Sequence, residues 1–506
     1  MNGRPGTEDT RRAIRRGALN LSLVTLAALG GSGAARAELT INPSIGANAL
    51  WIDNVMFAPE NEPQRSDEVF LLTPSLRVLQ KADRINSSLR YDLIGEYFAS
   101  DHQLNETYHD LDARSEADLI GKVLFLGGYV QYSQVLTSPT TPQSLGNIMP
   151  VGTTGNLANV FTAGIRPRLQ KEFKDSTVAA MYTEAKVKYS SLIRGGLPAP
   201  DATVSMINSS WSTNEDSKDR LTFALTYDSE RARYDNTYPD FRFDRARAEL
   251  GFHIVQQFTV FGSGGAETDL TKGTSQGSLN APMYEGGIRW NPLERSTLEL
   301  AAGHETYGQT YRARATYSGR VLNVDLKYTD QATTLSNQLG LLGGTAPGET
   351  APTQLGYLPG SLQSVGTPLS ASQGFQRITG AAYVAKDFDG TVALKGRRTE
   401  IELIGYSHLR QYLTSVGSDH QTGVAVDLRR TLSPRMTAGL DVGWARLGAQ
   451  GNTAVFDELD IRAYLDRQLT ARSSLLLQVA QMKRTGTLNN FNTTWALLGY
   501  QVKFNK

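Results

Sequence analysis

The sequence predicts an all-β fold: a single large antiparallel transmembrane β-barrel of about 18–24 strands, best read as 22, after an N-terminal signal peptide. Three observations carry that reading. Roughly twenty short segments in succession alternate apolar and polar residues at period two, the mark of strands with one greasy face and one wet face. Almost no stretch shows helical periodicity. Connections alternate between short and long, as periplasmic turns and outer loops do.

The N-terminus comes first. Arg11, Arg12, Arg15 and Arg16 form a positive region, Ala18 to Leu29 is an apolar stretch, and Gly30 to Gly33 break it. Ala35-Arg36-Ala37 fits the small-residue cleavage rule, so Ala35 and Ala37 mark the cleavage site and residues 1–37 read as a signal peptide. The apolar stretch is too short to be a membrane anchor. The Sec route is expected, because a barrel must cross the inner membrane unfolded. The expected barrel is then 38–506.

Composition agrees. The chain has 506 residues, a hydrophobic fraction of 40% and a mean hydropathy of −0.33, values that resemble a soluble protein. A transmembrane barrel has such values because only alternate residues meet lipid. The 48 Gly and 21 Tyr suit tight turns and interfacial aromatic belts. There is no Cys, which excludes disulfides, thiolate metal sites and cysteine nucleophiles. Loss of residues 1–37 removes six basic and two acidic side chains, leaving 45 and 48 and a formal charge of −3. Nothing in that balance points to nucleic acid. No apolar run of ~18 residues follows the signal, so no transmembrane helix is expected.

Along the chain the alternation recurs. In Leu89 to Tyr97, the residues Leu89, Tyr91, Leu93 and Tyr97 share one face and Arg90, Asp92 and Glu96 the other. Leu111, Ala113 and Ala117 interleave with Asp112, Arg114 and Glu116. Leu322, Val324, Leu326 and Tyr328 interleave with Asn323, Asp325 and Lys327. Val426 and Leu428 interleave with Asp427 and Arg429, and Leu459 and Ile461 with Asp460 and Arg462. A soluble sandwich would show the same faces, but not the loop rhythm. Short connections fall near 81–83, 172–176, 256–257, 291–295, 318–319, 395–396, 433–434 and 470–471. The longer ones fall at 58–66, 138–157, 191–202, 234–240, 268–280 and 331–387.

The stretch 331–387 is the longest irregular segment. It reads as an inward constriction or an outer lid, with a short helix over 375–388. The hairpins starting Gly319-Arg320 and Gly396-Arg397 form a weak internal repeat on either side of it. At the C-terminus Leu498, Tyr500, Val502 and Phe504 alternate into a late aromatic. Tyr500 and Phe504 are therefore the expected assembly signal, although Asn505 and Lys506 follow.

The chemistry-bearing residues form no catalytic pattern. None of His102, His109, His253, His304, His408 and His420 stands at metal-ligand spacing, and no metal or cofactor is expected. His102 and His109 lie near a loop where they could meet. Gly262-Ser263-Gly264-Gly265 sits within a strand pattern and is no phosphate loop. There is no G-x-S-x-G elbow. Asp110/Asp112 and Glu400/Glu402 could bind Ca²⁺ or do acid–base work, but alternate lumen residues are polar in any case.

The opening of the mature chain carries Ile41-Asn42-Pro43-Ser44, then Trp51-Ile52-Asp53-Asn54-Val55, Leu71 to Arg77, the Leu89 to Tyr97 strand, Leu111 to Ala117 and Leu124-Phe125-Leu126-Gly127-Gly128. In that order these segments resemble the PEP-CTERM-system-associated outer-membrane protein family, barrels linked to exopolysaccharide loci. The resemblance implies an outer-membrane location and a tie to exopolysaccharide export or envelope biogenesis. It carries over no site residue.

The expected function is thus a passive, non-enzymatic outer-membrane conduit. Arg90, Asp92, Glu96, Asp112, Arg114, Glu116, Asn323, Asp325, Lys327, Asp427, Arg429, Asp460 and Arg462 would line its lumen for hydrogen bonding and charge balance. Both signs of charge suit a neutral or zwitterionic sugar better than a single-sign ion filter. The partners expected are outer-membrane lipid, the barrel-assembly machinery and, through the resemblance, exopolysaccharide or its export machinery. The alternatives are a structural or adhesive barrel with a plugged lumen, and an outer-membrane enzyme.

Overall fold

The computed structural model describes residues 38–136, 157–191, 201–214, 220–235, 240–269, 279–334, 383–413, 418–450, 455–487 and 490–504. Twenty-two strands run in order. They are β1 (Glu38–Ile52), β2 (Asp67–Lys81), β3 (Ile85–Phe98), β4 (Glu106–Ile120), β5 (Leu124–Leu136), β6 (Leu157–Glu172), β7 (Ser176–Ser191), β8 (Ala202–Thr213), β9 (Leu221–Tyr234), β10 (Phe241–Val255) and β11 (Phe258–Thr268). The second half comprises β12 (Leu279–Trp290), β13 (Ser296–Glu305), β14 (Gly308–Ser318), β15 (Leu322–Thr333), β16 (Tyr383–Lys395), β17 (Thr399–Tyr412), β18 (Ser418–Ser433), β19 (Met436–Gln450), β20 (Val455–Gln468), β21 (Ser473–Gly486) and β22 (Phe491–Lys503). One 3₁₀ turn, His102–Leu104, is the sole helical element among the described residues.

Each strand pairs antiparallel with its neighbour in sequence, and β1 pairs with β22, which closes the sheet. Closure leaves no edge for an apolar medium to strip of hydrogen bonds. The seam runs from Ser44 opposite Lys503 to Ile52 opposite Trp495. The Phe504 amide extends it by donating to the Pro43 carbonyl at 2.8 Å. Tyr500 stands outward on the seam, opposite Ala47 and Leu475.

The apolar face of the alternation is the outer one. Ile41, Trp51, Phe70, Leu72, Leu225, Leu250, Leu403, Val479 and Leu498 are all exposed there. Directly opposed residues on paired strands share a face, so the outer stripe continues around the wall. Connection lengths keep parity over most of the barrel, and two connections depart from it most clearly. A seven-residue connection, 214–220, falls on the short-turn side, and the two-residue turn 306–307 falls on the long-loop side. By barrel convention the short turns and both chain ends face the periplasm.

The strand count is the 22 expected. The helix expected over 375–388 is not formed over its described part, since 383–388 belong to β16. There the period-two pattern wins: Ala385 and Asp387 point inward opposite Arg410 and His408. β15 and β16 take up both ends of the stretch 331–387, and residues 335–382 lie outside the described residues. The Gly319 and Gly396 hairpins share a turn geometry. The Gly319 amide donates to the Leu322 carbonyl at 2.8 Å and the Gly396 amide to the Thr399 carbonyl at 2.7 Å.

Inward-facing tyrosines lie over inward glycines of a neighbouring strand: Tyr129 over Gly164, Tyr406 over Gly423, and Tyr464 over Gly439. The ring covers backbone that the glycine leaves bare, a device that fixes strand register. At Gly423 an added methyl group would meet the Tyr406 ring and stand 2.7 Å from the Trp444 carbonyl oxygen. Backbone on one side leaves no way to yield. Gly423→Ala is expected to cost about 1–3 kcal/mol, read as a lower urea midpoint for the barrel in detergent. An unchanged midpoint would show that the strand shifts freely.

Candidate functional site

The interior is divided. One sector, built from β20, β21, β22, β1, β2 and β3, is packed. Leu50, Ile52, Val69, Leu71, Phe98, Met482, Phe491, Trp495 and Leu497 form an apolar cluster inside the barrel, joined by Val55 and Phe57 from the connection 53–66. That connection folds inward and is pinned. Asn54 closes on itself, its Oδ1 accepting from the Ala58 amide at 2.9 Å and its Nδ2 donating to the Ala58 carbonyl at 2.8 Å. Asp53 Oδ1 accepts from the Thr494 amide at 2.8 Å. The Phe57 ring meets Phe491 edge-on at 5.3 Å, with Phe57 held at φ 51°. A side chain in the left-handed region costs free energy, and here ring burial offsets it.

Charged groups border this cluster. Arg484 donates through Nη2 to Glu458 Oε2 at 2.7 Å, its guanidinium 3.8 Å from the Phe456 ring centre. Arg462 donates through Nε to Asp441 Oδ2 at 2.6 Å. Asp460 lies between these two pairs on β20. It is 1% exposed, and neither of its side-chain oxygens has a hydrogen-bond partner. A buried carboxylate without partners is costly. Asp460→Asn, which removes the charge and keeps the shape, is expected to raise stability by about 1–3 kcal/mol. A lowered unfolding midpoint would mean that Asp460 holds a bound group.

The opposite sector is polar, with a second buried apolar cluster beside it that includes Val187, Val204, Met206, Phe241 and Phe243 on β7 to β10. On β10 to β14 the inward residues form an Arg–Glu ladder in two sections, its carboxylates largely buried and Glu267 fully so. Arg245 donates to Glu267 and Glu305, each at 2.7 Å. Arg247 and Arg312 both donate to Glu285 at 2.7 Å. Arg312 and Arg289 both reach Glu299 at 2.9 Å. Both guanidiniums also approach the Phe261 ring. Inward Gly265, Gly287 and Gly303 leave the room these long side chains occupy. At the loop end the Tyr307 hydroxyl donates to Glu305 at 2.6 Å. Burial, and then the Glu305 charge, push its pKa well above the usual phenol value, so it remains a donor.

Further round, Arg314, Lys327 and Asp389 stand in one inward row across β14, β15 and β16, all exposed to the lumen. Asp325, one step toward the periplasm, is exposed as well. His408 sits between two carboxylates, with Nδ1 3.0 Å from Asp387 and Nε2 3.4 Å from Asp389.

All thirteen residues named from the alternation lie on the inward face, in two different settings. Asp325 and Lys327 meet lumen water, and Asn323 is half-buried beside them. Asp112, Arg114 and Glu116 are half-buried, Arg114 gripping Asp112 at 2.8 Å and Arg168 gripping Glu116 at 2.9 Å. Arg90, itself partly exposed, pairs with Asp110 at 3.2 Å and approaches Asp92 at 3.7 Å. Arg429 approaches Asp427 at 3.5 Å. Glu96, Asp92, Asp427, Asp460 and Arg462 are buried and line no water. Alternation assigns a face. It does not reveal that one sector of that face is covered.

Three of the four carboxylates in the acidic pairs are taken by cations: Asp110 by Arg90, Asp112 by Arg114, and Glu400 by Lys395 at 3.6 Å. His109 faces outward, where its Nδ1 shares a hydrogen bond with the Tyr91 hydroxyl at 2.8 Å, and it packs against Tyr132. His102 lies in the 3₁₀ turn. No group of three or more His, Asp or Glu suited to a metal ion occurs among the described residues. The Arg–Glu ladder was missed by sequence reasoning. Its signal is visible in Arg245-Ala246-Arg247-Ala248-Glu249, a period-two strand with small outward residues in place of large apolar ones. Ala35, Ala37 and the rest of the signal segment lie outside the described residues, and β1 begins at Glu38.

A closed barrel with an apolar girdle outside and paired charges within defines an outer-membrane β-barrel, and the protein is one. No protein-family model and no curated relative matches its sequence. Solved structures resemble it in form. The FrpB iron transporter from Neisseria meningitidis (F3-3 variant) is 9% identical with a TM-score of 0.49, covering 92% of this chain and 81% of that one. The siderophore receptor PirA from Acinetobacter baumannii is 8% identical with a TM-score of 0.48, covering 92% and 80%. The outer membrane protein opdK from Pseudomonas aeruginosa is 7% identical with a TM-score of 0.35, covering 92% and 99%. At such identities these likenesses concern form and not cargo.

Proposed function

We propose that this barrel is a passive, non-catalytic conduit whose wet sector, β14 to β16, passes a polar saccharide, in an envelope system concerned with exopolysaccharide. The observation that carries the reading is the exposed inward row Arg314, Lys327 and Asp389, beside a packed opposite wall. A 22-strand barrel is wide enough to need filling, and here two buried apolar clusters fill part of the interior while the row on β14 to β16 stays exposed. Charges of both signs along the wet wall favour a hydroxyl-rich neutral or zwitterionic solute over one sign of ion. The family resemblance supports the exopolysaccharide tie. A gene neighbourhood with glycosyltransferases would add to it.

Purified protein in planar bilayers is expected to give stepwise conductance, partly blocked by oligosaccharide added to one side. A barrel that never conducts overturns the reading. It would leave the second one, a structural or adhesive barrel with a filled lumen, which the apolar interior cluster favours.

A further inference from the structure

The two mouths of the barrel differ in charge. The ten short connections of the periplasmic end carry eleven Arg and Lys against six Asp and Glu, a formal +5. The eleven connections of the opposite end carry four basic and nine acidic residues, a formal −5. Most turn cations are ordinary solvated residues. Three are arranged differently: Arg435, from the turn before β19, Arg472, from the turn before β21, and Lys503, at the end of β22, all line one cavity of about 330 Å³.

We propose that this cavity is an anion-binding site, taking the carboxylate or phosphate of a sugar that approaches from the periplasm. The volume suits one sugar ring with its charged substituent. Ser474 and Gln501 add a hydroxyl and an amide to the lining. The cations are held in place by their backbones. The Gln468 amide donates to the Arg435 carbonyl, and the Lys503 amide to the Arg472 carbonyl, each at 2.8 Å. Both turns are thereby tied to the next strand, which fixes where the three side chains emerge around the cavity. Among the described lining residues Asp466 alone is acidic. None of the three cations is in an ion pair among the described residues, in contrast to the inward arginines higher in the barrel. An oxyanion would supply the charge-assisted hydrogen bonds that the lining leaves open. The positive mouth around it would draw anions in, more strongly at low salt.

The site does not depend on the conduit reading, and binding is measured without conduction. Full-length protein folded in detergent is titrated calorimetrically at low salt with inorganic phosphate, glucuronate and glucose. Phosphate or glucuronate should bind and glucose should not. Phosphate alone identifies a phosphoryl ligand, glucuronate alone a uronate, and both a general oxyanion site; each supports the proposal. Arg435→Gln/Arg472→Gln/Lys503→Gln should weaken binding roughly tenfold or more. Arg472→Gln alone should give a smaller loss if the triple variant folds poorly. A control in other turns, Arg320→Gln/Arg397→Gln/Arg398→Gln, should leave affinity within about twofold, because those charges act only as a screened background. Absence of anion binding, binding unchanged in both cavity variants, or an equal loss in the control overturns the site. A barrel that conducts but does not bind loses this site alone. One that binds but never conducts loses only the conduit.

Discussion

Glu458→Ala is expected to destabilise the barrel by about 1.5–3 kcal/mol, read as a lower unfolding midpoint. Its partner Arg484 is 1% exposed, lies against the Phe456 ring at 3.8 Å and also faces Phe491. Removal of the carboxylate leaves a guanidinium that cannot reach water without breaking that stack. Loss of the two charge-assisted hydrogen bonds to a buried guanidinium is what makes the variant costly; the pair itself need not be strongly stabilising. Two further variants separate those effects. Glu458→Gln keeps an acceptor for Arg484 and should lose less. Glu458→Leu/Arg484→Met removes both charges at similar volume and should recover much of the loss. Urea unfolding of the barrel, followed by tryptophan fluorescence, ranks all three. If Glu458→Ala were nearly neutral, Arg484 would have a route to water and the packed sector would be looser than its burial indicates.

The architecture was legible in the sequence because a barrel imposes local rules. Lipid dictates every second residue, and turns dictate the residues between strands, so Leu89 to Tyr97 announces its two faces without any long-range information. The count of 22 followed from turn parity. It survived the two-residue turn 306–307 because the flanking strands β13 and β14 keep their alternation. The stretch 383–388 misled for the opposite reason. Tyr383-Val384-Ala385-Lys386 has weak alternation by itself, and only pairing with Arg410 and His408 settles it as strand.

The state of the interior was not legible. Asp325 and Asp460 look alike in sequence, each an acidic residue between apolar neighbours. One faces lumen water and the other lies sealed near Met482 and Trp495. The difference arises because 53–66 folds inward over β22, held by Asn54 and Asp53. That packing joins residues more than 400 positions apart, beyond any periodic signal. The cavity at Arg435, Arg472 and Lys503 was hidden because two turns and a strand end become neighbours only when β19 to β22 pair side by side.

The same division of the interior predicts where charge changes affect function and where they affect stability. Arg314 and Lys327 are opposed on β14 and β15, exposed, and point into the wet sector. Arg314→Glu/Lys327→Glu turns two cations into two anions beside Asp325 and Asp389, a local change of four charges. Like charges directly opposed repel modestly at an exposed position, so the unfolding midpoint should move little. The electrostatic potential along the wet wall should become strongly negative. In a potassium chloride gradient the reversal potential should move toward cation selectivity by several-fold in permeability ratio. The shift should be large at about 0.1 M salt and shrink at about 1 M, where screening acts within roughly 3 Å. The matched change in the packed sector, Arg462→Gln with Asp441→Asn, should do the reverse, lowering stability while leaving selectivity near that of the parent. If Arg314→Glu/Lys327→Glu left selectivity unchanged, ions would not pass along β14 to β16, and the conduit reading would lose its path.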